Sequence, residues 1–295
     1  FTSFVRNDGN PSLAMAATLA SRLFNIVFDY ILMFPCGMGM AGAALATAIS
    51  PVIGIAICTN HFWKKTNTIR IVPRKPSLRI CLSDCKLGIS AFIGELSSGV
   101  TTMVFNMLIL AIAGNVGVAA YGVVANCSLV AVSIFNGVAN GSQPLLSEFY
   151  GRGDNEAVKK VFKLSVGTAF AIALFTVLMI FVLAEPIVSV FNSEKSAELA
   201  AYGVLGMKLY FLGFLVAGIN IAITGYFSAT DQPKEAFVAS ISRGVVAIIV
   251  CAIVMTILFG MNGVWLSFGV AEVITLILIS VFLSLGRNKI RNSSK

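Results

Sequence analysis

Residues 85–114 read CKLGISAFIGELSSGVTTMVFNMLILAIAG, and this stretch indicates the fold class. A helix needs about 20 apolar residues to cross the hydrocarbon core of a bilayer, and the stretch is long enough. It carries one acid, Glu95, although an acid at the centre of a transmembrane helix costs about 2.5 to 3.5 kcal/mol on insertion scales. The small and polar residues around Glu95 are typical of a helix face directed at a bundle or a wet cavity. We therefore interpret the stretch as part of a transport path.

The composition of the chain is that of an integral membrane protein. Of its 295 residues, 57% are hydrophobic and 12% are charged, with a mean hydropathy of +0.90, whereas soluble domains carry about 25% charged residues. The net charge is +8, but the basic residues lie between apolar runs. This placement indicates membrane topology and attraction to anionic lipids rather than binding of nucleic acid. The six cysteines form no CxxC pair and the chain has one histidine, so no metal site is expected.

Eight apolar stretches are separated by turn residues and charges. They cover residues 12–34, 39–62, 84–113, 117–143, 156–183, 199–228, 234–258 and 263–285. The gap at 64–79 holds six cations and no anion, and the stretch 286–295 holds four cations and no anion. Cation-rich gaps mark the cytoplasmic side of a membrane. Strict alternation of eight helices then predicts a cytoplasmic C-terminus.

A repeat with an offset of 221 residues relates the first two apolar stretches to the last two. The Ser-Arg dipeptide that begins at Ser21 recurs at Ser242, and the motif GMxGxxL that begins at Gly39 recurs at Gly260. Six predicted helices lie between corresponding points, so the two copies cross the membrane in the same direction, as in a parallel repeat. The first copy lacks the opening helices of a full unit of that length. We expect about four helices, or about 150 residues, to be missing from the front.

Several motifs resemble the multidrug and toxic compound extrusion (MATE) family, and they occur in the order of that family. The motifs are FVRNDGNPSLAM from Phe4, NIVFDYILMF from Asn25, GMAGAALATAIS from Gly39, NGVANGSQPLLSEFYGRGD from Asn136, TGYFSATDQP from Thr224 and GVWLSFGVAE from Gly263. The resemblance covers nearly the whole chain. It implies an N-terminally truncated member of a family of twelve-helix, two-lobed antiporters, which export cationic, amphipathic compounds against an inward flow of H⁺ or Na⁺.

The resemblance also implies a fold class and domain boundaries. We expect an all-α polytopic membrane protein with about eight of twelve transmembrane helices, in a parallel two-lobe, inverted-V helix bundle. Residues 1–62 would end the N-terminal lobe, with the tail of helix 4 and helices 5 and 6, and 63–83 would be a basic cytoplasmic linker. Residues 84–286 would form the C-terminal lobe, with helices 7 to 12, and 287–295 a cytoplasmic tail.

Three acids within the apolar stretches are candidates for coupling to protons or other cations: Glu95, Asp29 and Glu272. Glu95 falls on the acid that MATE proteins commonly place on their seventh helix. Removal of a carboxyl group from water disfavours its charged form, so the group can take up a proton on one side of the membrane and release it on the other. Static roles stay open as well. Glu95 and Glu272 could each lock two helices through a hydrogen bond, and Asp29 could pair with Arg22.

Arg22 and Arg243 occupy equivalent positions of the repeat, and we predict that each pairs with an acid or extends to the membrane surface. A substrate cavity is predicted from amide side chains, while Met and Phe side chains adapt to varied apolar bodies. The predicted cavity residues are Asn25, Asn106, Asn126, Asn136, Asn140 and Gln143. Phe-rich helices are also typical of lipid-facing surfaces, so that alternative stays open.

The coupling ion predicted from the sequence is H⁺, with Na⁺ as the alternative. The match of INIAITGYF to the tenth helix places Ala217 where some Na⁺-coupled members have an Asp, and hard cations prefer several oxygen ligands. No cofactor and no metal are expected. The expected partners are small organic cations and membrane lipids, without nucleic acid. The protein is expected to be a multi-pass monomer of the cell (inner) membrane.

Two other classes of function match parts of the sequence. A flippase for lipid-linked precursors, from the same superfamily, would line its cavity with cations, whereas this chain balances its two membrane arginines with acids. An intramembrane aspartyl protease is indicated by the GxGD string at 151–154, but that chemistry requires two apposed carboxylates within the membrane. Asp154 instead stands in a charged loop, where we predict that it or Asn155 caps the next helix. No HExxH, Walker or GxSxG string is present, so the chain is predicted not to be an enzyme.

Overall fold

The chain divides into two units, Phe1–Lys75 and Pro76–Lys295. The computed structural model describes residues 1–63, 67, 77–192 and 195–293; for 233, 245, 282–293 and several residues of 79–98 it describes the backbone alone. All regular structure within these described residues is helical. The predicted all-α class is therefore confirmed.

The first unit contains three helices and a 3₁₀ turn within residues 1–63. They are α1 (Thr2–Asn7), α2 (Pro11–Met33), α3 (Gly39–Thr59) and the 3₁₀ turn Asn60–Trp63. α2 begins after Asn10, whose side chain accepts a hydrogen bond from the backbone N–H of Leu13 at 3.4 Å. Pro11 fits the first turn because its missing N–H would have no helical partner there. α2 and α3 correspond to the first two predicted stretches.

Small residues allow α2 and α3 to pack closely. A Cβ atom on Gly42 would lie 2.7 Å from the backbone of Leu32, so a larger residue would push the two helices apart. Further along, the Ser21 hydroxyl donates a hydrogen bond of 2.6 Å to the carbonyl of Ser50, and Gly54 lies against Ser21. Close approach through small residues is the usual packing mode of membrane helices.

The second unit is built from helices of unequal length and one π-helical turn. They are α4 (Leu78–Gly151), α5 (Asn155–Phe191), α6 (Ala197–Leu212), α7 (Phe214–Ala229), α8 (Pro233–Ile241), the π-helical turn Ser242–Val246 and α9 (Ala247–Ser293). α5 begins at a cap, because the Asp154 carboxylate accepts a hydrogen bond from the backbone N–H of Ala157 at 3.0 Å. This is the capping role predicted for Asp154. An aspartyl protease would instead require this carboxylate opposite a second one within the membrane.

Two helices of the second unit are broken by a glycine. The backbone is non-helical at Gly114 (φ 60°, ψ −156°) in α4 and at Gly260 (φ 57°, ψ −134°) in α9. Five described helices are long and apolar enough to cross a membrane, or six when α6 and α7, bent by 43° relative to each other, count as one span. About 20 residues suffice for one crossing, so each broken helix supplies two segments. Divided in this way, the described helices provide a segment for each of the eight predicted stretches.

The two copies of the predicted repeat share a glycine of positive φ at their turns. Gly39 and Gly260, which correspond at the offset of 221 residues, have φ angles of +53° and +57°, a region that glycine enters without strain. Gly42 and Gly263 both lie against the backbone of the preceding helix. A Cβ on Gly42 would lie 2.7 Å from that backbone, and a Cβ on Gly263 would lie closer still. The motif GMxG therefore places a glycine of positive φ and a close contact with the preceding helix at the turn of both units.

Aromatic side chains fill the core of the second unit, and glycines make room for them. The ring of Tyr210 in α6 stacks on the ring of Phe268 in α9, with centroids 4.4 Å apart. Trp265 is fully buried, and a Cβ on Gly206 would lie 2.6 Å from its indole. Tight packing of this kind leaves little freedom for adjacent helices, so it fixes α6 against α9.

Helices extend beyond two of the predicted boundaries. The predicted linker 63–83 lies largely outside the described residues, and α4 begins at Leu78 rather than at 84. α9 continues to Ser293, so the stretch predicted as a tail from 287 begins as helix. A helix satisfies its own backbone hydrogen bonds, so it can continue past the apolar stretch. Hydrophobicity alone therefore does not predict where the helix ends.

Candidate transport site

A polar cluster joins α2 and α3 in the first unit. The Asn25 amide donates hydrogen bonds to the Asp29 carboxylate at 3.5 Å and to the Thr47 hydroxyl at 3.3 Å. Asn25 and Asp29 are both half-buried. Among the described residues, Asn25 is the only hydrogen-bond partner of Asp29, and no cation pairs with this acid. The part of the chain that the structure describes therefore holds this carboxylate by one long hydrogen bond and places no counter-charge on it.

Arg22 does not provide that counter-charge. It is exposed, and no ion pair with it is found within the described part of the chain. Asp29 follows Arg22 by seven residues, which places the two Cα atoms about 10 Å apart along α2. The pairing of Arg22 with Asp29 that the sequence left open is thus absent from the structure.

Glu272 of α9 is the centre of a second cluster, which joins three elements of the second unit. Its side chain is almost fully buried. Oε1 accepts a hydrogen bond from Nε of Arg243 at 2.8 Å, and Oε2 accepts one from the Asn220 amide of α7 at 2.7 Å. The same amide nitrogen donates to the backbone carbonyl of Glu272 at 2.9 Å. Both carboxylate oxygens are therefore engaged.

The π-helical turn Ser242–Val246 carries Arg243 into this cluster. Single π turns inside α-helices are rare and occur frequently at functional sites. The Arg243 side chain is 26% exposed, so part of its guanidinium or stem reaches the surface while Nε contacts the acid. A buried ion pair is tolerated when hydrogen bonds satisfy its oxygens, and Glu272 meets that condition. The sequence predicted that Arg243 pairs with an acid, and its contact with Glu272 has the geometry that such pairing requires.

Asn220 is a site residue that the sequence reasoning missed. It is fully buried, and its Oδ1 has no hydrogen-bond partner within the described residues. The signal was one amide in the otherwise largely apolar stretch FLVAGINIAITGYF, 214–227. The family resemblance directed attention to Ala217 of that stretch, which is buried in the apolar core. Asn220 lies nearly one turn further along α7 and reaches the acid.

The predicted cavity amides beyond the Gly114 break form one stripe of α4. The stripe consists of Asn126, Asn136, Asn140 and Gln143. Rotation by about 100° per residue brings these positions within an arc of about 100°. Three are exposed and Gln143 is half-buried, and within the described residues only Asn126 has a hydrogen bond, to the carbonyl of Gly122 at 2.8 Å. Most amides of the stripe are thus available to bind a solute.

Two predicted residues lie on the part of α4 that precedes Gly114. Asn106 is half-buried there. Glu95 lies on the helical backbone of the same part, but its side chain lies outside the described residues. The coupling role predicted for Glu95 stays a prediction, as do those predicted for Asp29 and Glu272.

A third polar group lies at the end of α3. His61 is fully buried, with Nε2 2.7 Å from the Asp8 carboxylate and Nδ1 3.2 Å from the Asn10 amide. Since Asn10 also caps α2, the imidazole ties the loop before α2 to the end of α3. Among the described residues, no three His, Cys, Asp or Glu side chains are grouped so that they could hold a metal ion. We interpret the His61 group as structural.

Comparison with known proteins identifies the family. The family model described as MatE matches residues 91–254, which is more than half of the chain. The chain belongs to the MATE family. The matched region contains the amide stripe, Asn220 and Arg243, and it ends before Glu272.

Two curated relatives of this MATE chain are named multidrug export protein MepA. The protein from Staphylococcus saprophyticus subsp. saprophyticus is 30% identical over 289 residues, which are 97% of this chain and 63% of that protein. The protein from Staphylococcus aureus (strain bovine RF122 / ET3-1) is 32% identical over 273 residues, which are 91% of this chain and 59% of that protein. The chain thus spans about three fifths of the length of these relatives.

A solved structure has the same fold as this MATE chain. It is an outward-facing conformation of a multidrug resistance MATE family transporter of the MOP superfamily, similar with a TM-score of 0.89 and 20% identity, over 98% of this chain and 65% of that one. At this identity the similarity concerns the fold. The predicted class, an all-α multi-pass membrane protein with a two-lobe helix bundle, is confirmed.

Proposed function

We propose that this MATE chain acts in a secondary active antiporter that exports cationic, amphipathic compounds in exchange for H⁺. Export of organic compounds is supported by the relatives named multidrug export protein. Because the chain spans 63% and 59% of the length of those relatives, their activity is carried to it as a proposal. The two acid clusters bear on the coupling ion and on the residues that bind it.

The environment of Asp29 carries the proposal. Withdrawal from water disfavours the charged form of a carboxyl group, whereas an adjacent cation favours it. Asp29 is half-buried and has one amide partner at 3.5 Å, with no cation among the described residues. Within the described residues no guanidinium contacts this carboxylate, so it is open to a proton or to an exported cation, whereas Glu272 is occupied by Arg243. We assign the coupling role to Asp29, with Glu95 as a second acid.

Exchange results if the proton and the exported cation compete for the same negative charge. A cation bound near Asp29 favours the ionised carboxylate, so its arrival displaces the proton. Conversely, protonation on the side of low pH removes the attraction and releases the cation. The two solutes then cross in opposite directions.

The amide stripe of α4 supports a broad choice of substrate. An amide side chain offers both donors and an acceptor, so it can bind a solute without defining one chemical identity. Substrates of one class but varied shape are bound by surfaces that can rearrange, and the ten Met and 22 Phe residues of the chain provide adaptable apolar contacts. We propose small organic cations with an apolar body as substrates.

The test is efflux of a fluorescent organic cation from proteoliposomes, with a pH gradient and a Na⁺ gradient imposed separately. We expect the pH gradient to drive efflux and the Na⁺ gradient alone to have no effect. Asp29→Asn keeps the shape of the side chain but cannot carry a proton, so it should abolish efflux driven by the pH gradient. Glu95→Gln is tested in parallel.

A matched control is Glu148→Gln. Glu148 is an exposed acid of α4 that pairs with Arg152 at 2.6 Å, so its loss should leave efflux unchanged. Unchanged efflux in both Asp29→Asn and Glu95→Gln would remove the proposed mechanism. Acceleration by the Na⁺ gradient alone would reverse the choice of ion.

The geometry does not favour the flippase alternative. A flippase for a pyrophosphate-linked lipid needs cations that are available to the phosphates, and Arg243 is bound by Glu272. We further propose, from the cation-rich gaps, that the C-terminus is cytoplasmic and that the transporter is a monomer of the cell (inner) membrane.

A further inference from the structure

We propose that Arg243 is a built-in cation of the second unit, which occupies the position at Glu272 that a free Na⁺ ion would take and so excludes Na⁺ from this acid. The inference rests on the proposed function for its meaning, because it concerns the choice of coupling ion. Its test measures ion binding without transport, so a failure of this inference can be distinguished from a failure of the proposed function.

The oxygen atoms around Glu272 resemble the donor set of a cation site. They are the two carboxylate oxygens and the backbone carbonyl of Glu272, which accept hydrogen bonds from Arg243 and from the Asn220 amide nitrogen. Oδ1 of the same Asn220 amide has no hydrogen-bond partner among the described residues. Hard cations bind carboxylate, carbonyl and amide oxygens. A buried polar atom without a partner is uncommon and requires an explanation. We infer that this part of the cluster is organised around positive charge.

The positive charge is already supplied by the chain itself. Nε of Arg243 lies 2.8 Å from Oε1 of Glu272, which is ion-pair and hydrogen-bond distance at once. The acid is 2% exposed, so water screens the pair little. A Na⁺ ion that enters must either displace the guanidinium or share the carboxylate with a like charge at short range, which is unfavourable.

Covalent attachment makes Arg243 a strong competitor. A tethered group faces its partner at an effective concentration of about millimolar or more, and it loses no translational entropy when it rebinds. The π-helical turn Ser242–Val246 presents the side chain towards α9. A free monovalent cation would therefore have to displace a guanidinium that stays attached to the chain.

The equivalent arginine of the first unit shows that the repeat alone does not create this arrangement. Arg22 corresponds to Arg243 at the offset of 221 residues, yet it is exposed and has no ion pair within the described residues. The position opposite Arg22 that corresponds to Glu272 is Pro51. The built-in cation is thus a feature of the second unit, created by the acid on α9.

The test is thermal unfolding of the purified protein in detergent, in NaCl and in choline chloride of equal ionic strength. We expect the wild type and Arg243→Lys, which keep a cation, to unfold at the same temperature in both salts. Arg243→Gln removes the cation, so its unfolding midpoint should rise by several degrees as Na⁺ is added and then level off. Arg243→Gln/Glu272→Gln removes the acid as well and should lose that response.

Two results would overturn the proposal. One is a Na⁺ response of the wild type that is lost in the double variant, and the other is a folded Arg243→Gln protein that ignores Na⁺. Because Arg243→Gln leaves an acid unpaired, a second measurement avoids it: binding of radioactive Na⁺ to the wild type and to the double variant, in which no charge is unpaired. Equal binding is expected, and extra Na⁺ bound by the wild type would contradict the proposal.

Discussion

The two helix pairs that the repeat relates share a glycine of positive φ at the start of the GMxG motif but differ in their charges. One pair is α2 and α3; the other is the segment from α8 through the π-helical turn into α9, together with the rest of α9. Asp29 in the first pair corresponds to Val250 in the second, and Glu272 in the second corresponds to Pro51 in the first. One copy therefore has its acid on its first helix and the other on its second. The two glycines of the GMxG motif are kept, whereas the positions of the acids differ.

The two arginines have different surroundings because of this difference in charge. Arg22 and Arg243 correspond in sequence, but Arg22 is exposed and Arg243 contacts Glu272 at 2.8 Å. The acid near Arg22 lies on the same helix, about 10 Å away along the axis. The acid near Arg243 lies on the neighbouring helix, where a long side chain can reach it. This contrast supports the proposed division of labour, in which Asp29 exchanges protons and Glu272 holds a fixed counter-charge.

The largest effect is expected when each arginine is replaced by alanine. Arg243→Ala leaves the buried Glu272 carboxylate without its counter-charge, and loss of one partner of a buried pair costs about 3 to 5 kcal/mol. Arg22→Ala removes an exposed side chain, and a change of stability within about 0.5 kcal/mol is expected. Unfolding of both variants by denaturant in detergent measures the difference. Equal losses would show that the two arginines are equivalent after all.

The next effect tests the close glycine contacts at the two turns. In Gly263→Ala the new Cβ would clash with a backbone oxygen of Met255. In Gly42→Ala it would lie 2.7 Å from the preceding helix. Overpacking costs about 1 to 3 kcal/mol, and we expect Gly263→Ala at the upper end. Gly122→Ala is the control, because its Cβ would meet no heavy atom within 4 Å; if it lost as much stability, the close contacts would not be the cause.

A smaller effect should result from loss of the His61 imidazole in the first unit. His61→Ala removes the hydrogen bonds to Asp8 and Asn10, and one of them goes to a carboxylate. Together they should contribute about 2 kcal/mol. Trp63→Ala is the control, since Trp63 is an exposed neighbour in the same 3₁₀ turn. The unfolding midpoints of the two variants should differ, and similar midpoints would mean that the tie contributes nothing.

The smallest single effect is expected for Thr47→Val, which is compared with a polar contact of the second cluster. Thr47→Val removes an exposed hydrogen bond of 3.3 Å to Asn25 and should cost about 0.5 kcal/mol. Asn220→Ala removes a buried hydrogen bond of 2.7 Å to the Glu272 carboxylate and should cost about 1.5 to 3 kcal/mol. Denaturant unfolding ranks the two. The reverse order would mean that the first cluster, rather than the second, is the tightly held one.

Sequence reasoning predicted the segments well and the contacts of the site unevenly. The eight stretches are set by hydrophobicity over about 20 residues, which is a local property, and the GMxG turn is set by two glycines that recur at one offset. The contact between Asn25 and Asp29 is local as well, because residues four apart share a helix face. Asn220 was missed because its partner, Glu272, is 52 residues away. The ion pair between Arg22 and Asp29, which the sequence left open, did not form.

The sequence by itself determined a multi-pass helical membrane protein with a parallel repeat and a small set of membrane acids, because apolar length, glycine placement and the presence of a charge are properties of single segments. Only the tertiary structure decided which acid is engaged and which is available. That choice depends on which helix faces which, and on the π-helical turn that directs Arg243 towards α9. Burial and hydrogen bonds between distant residues set the environment of each carboxylate, and no local pattern records them.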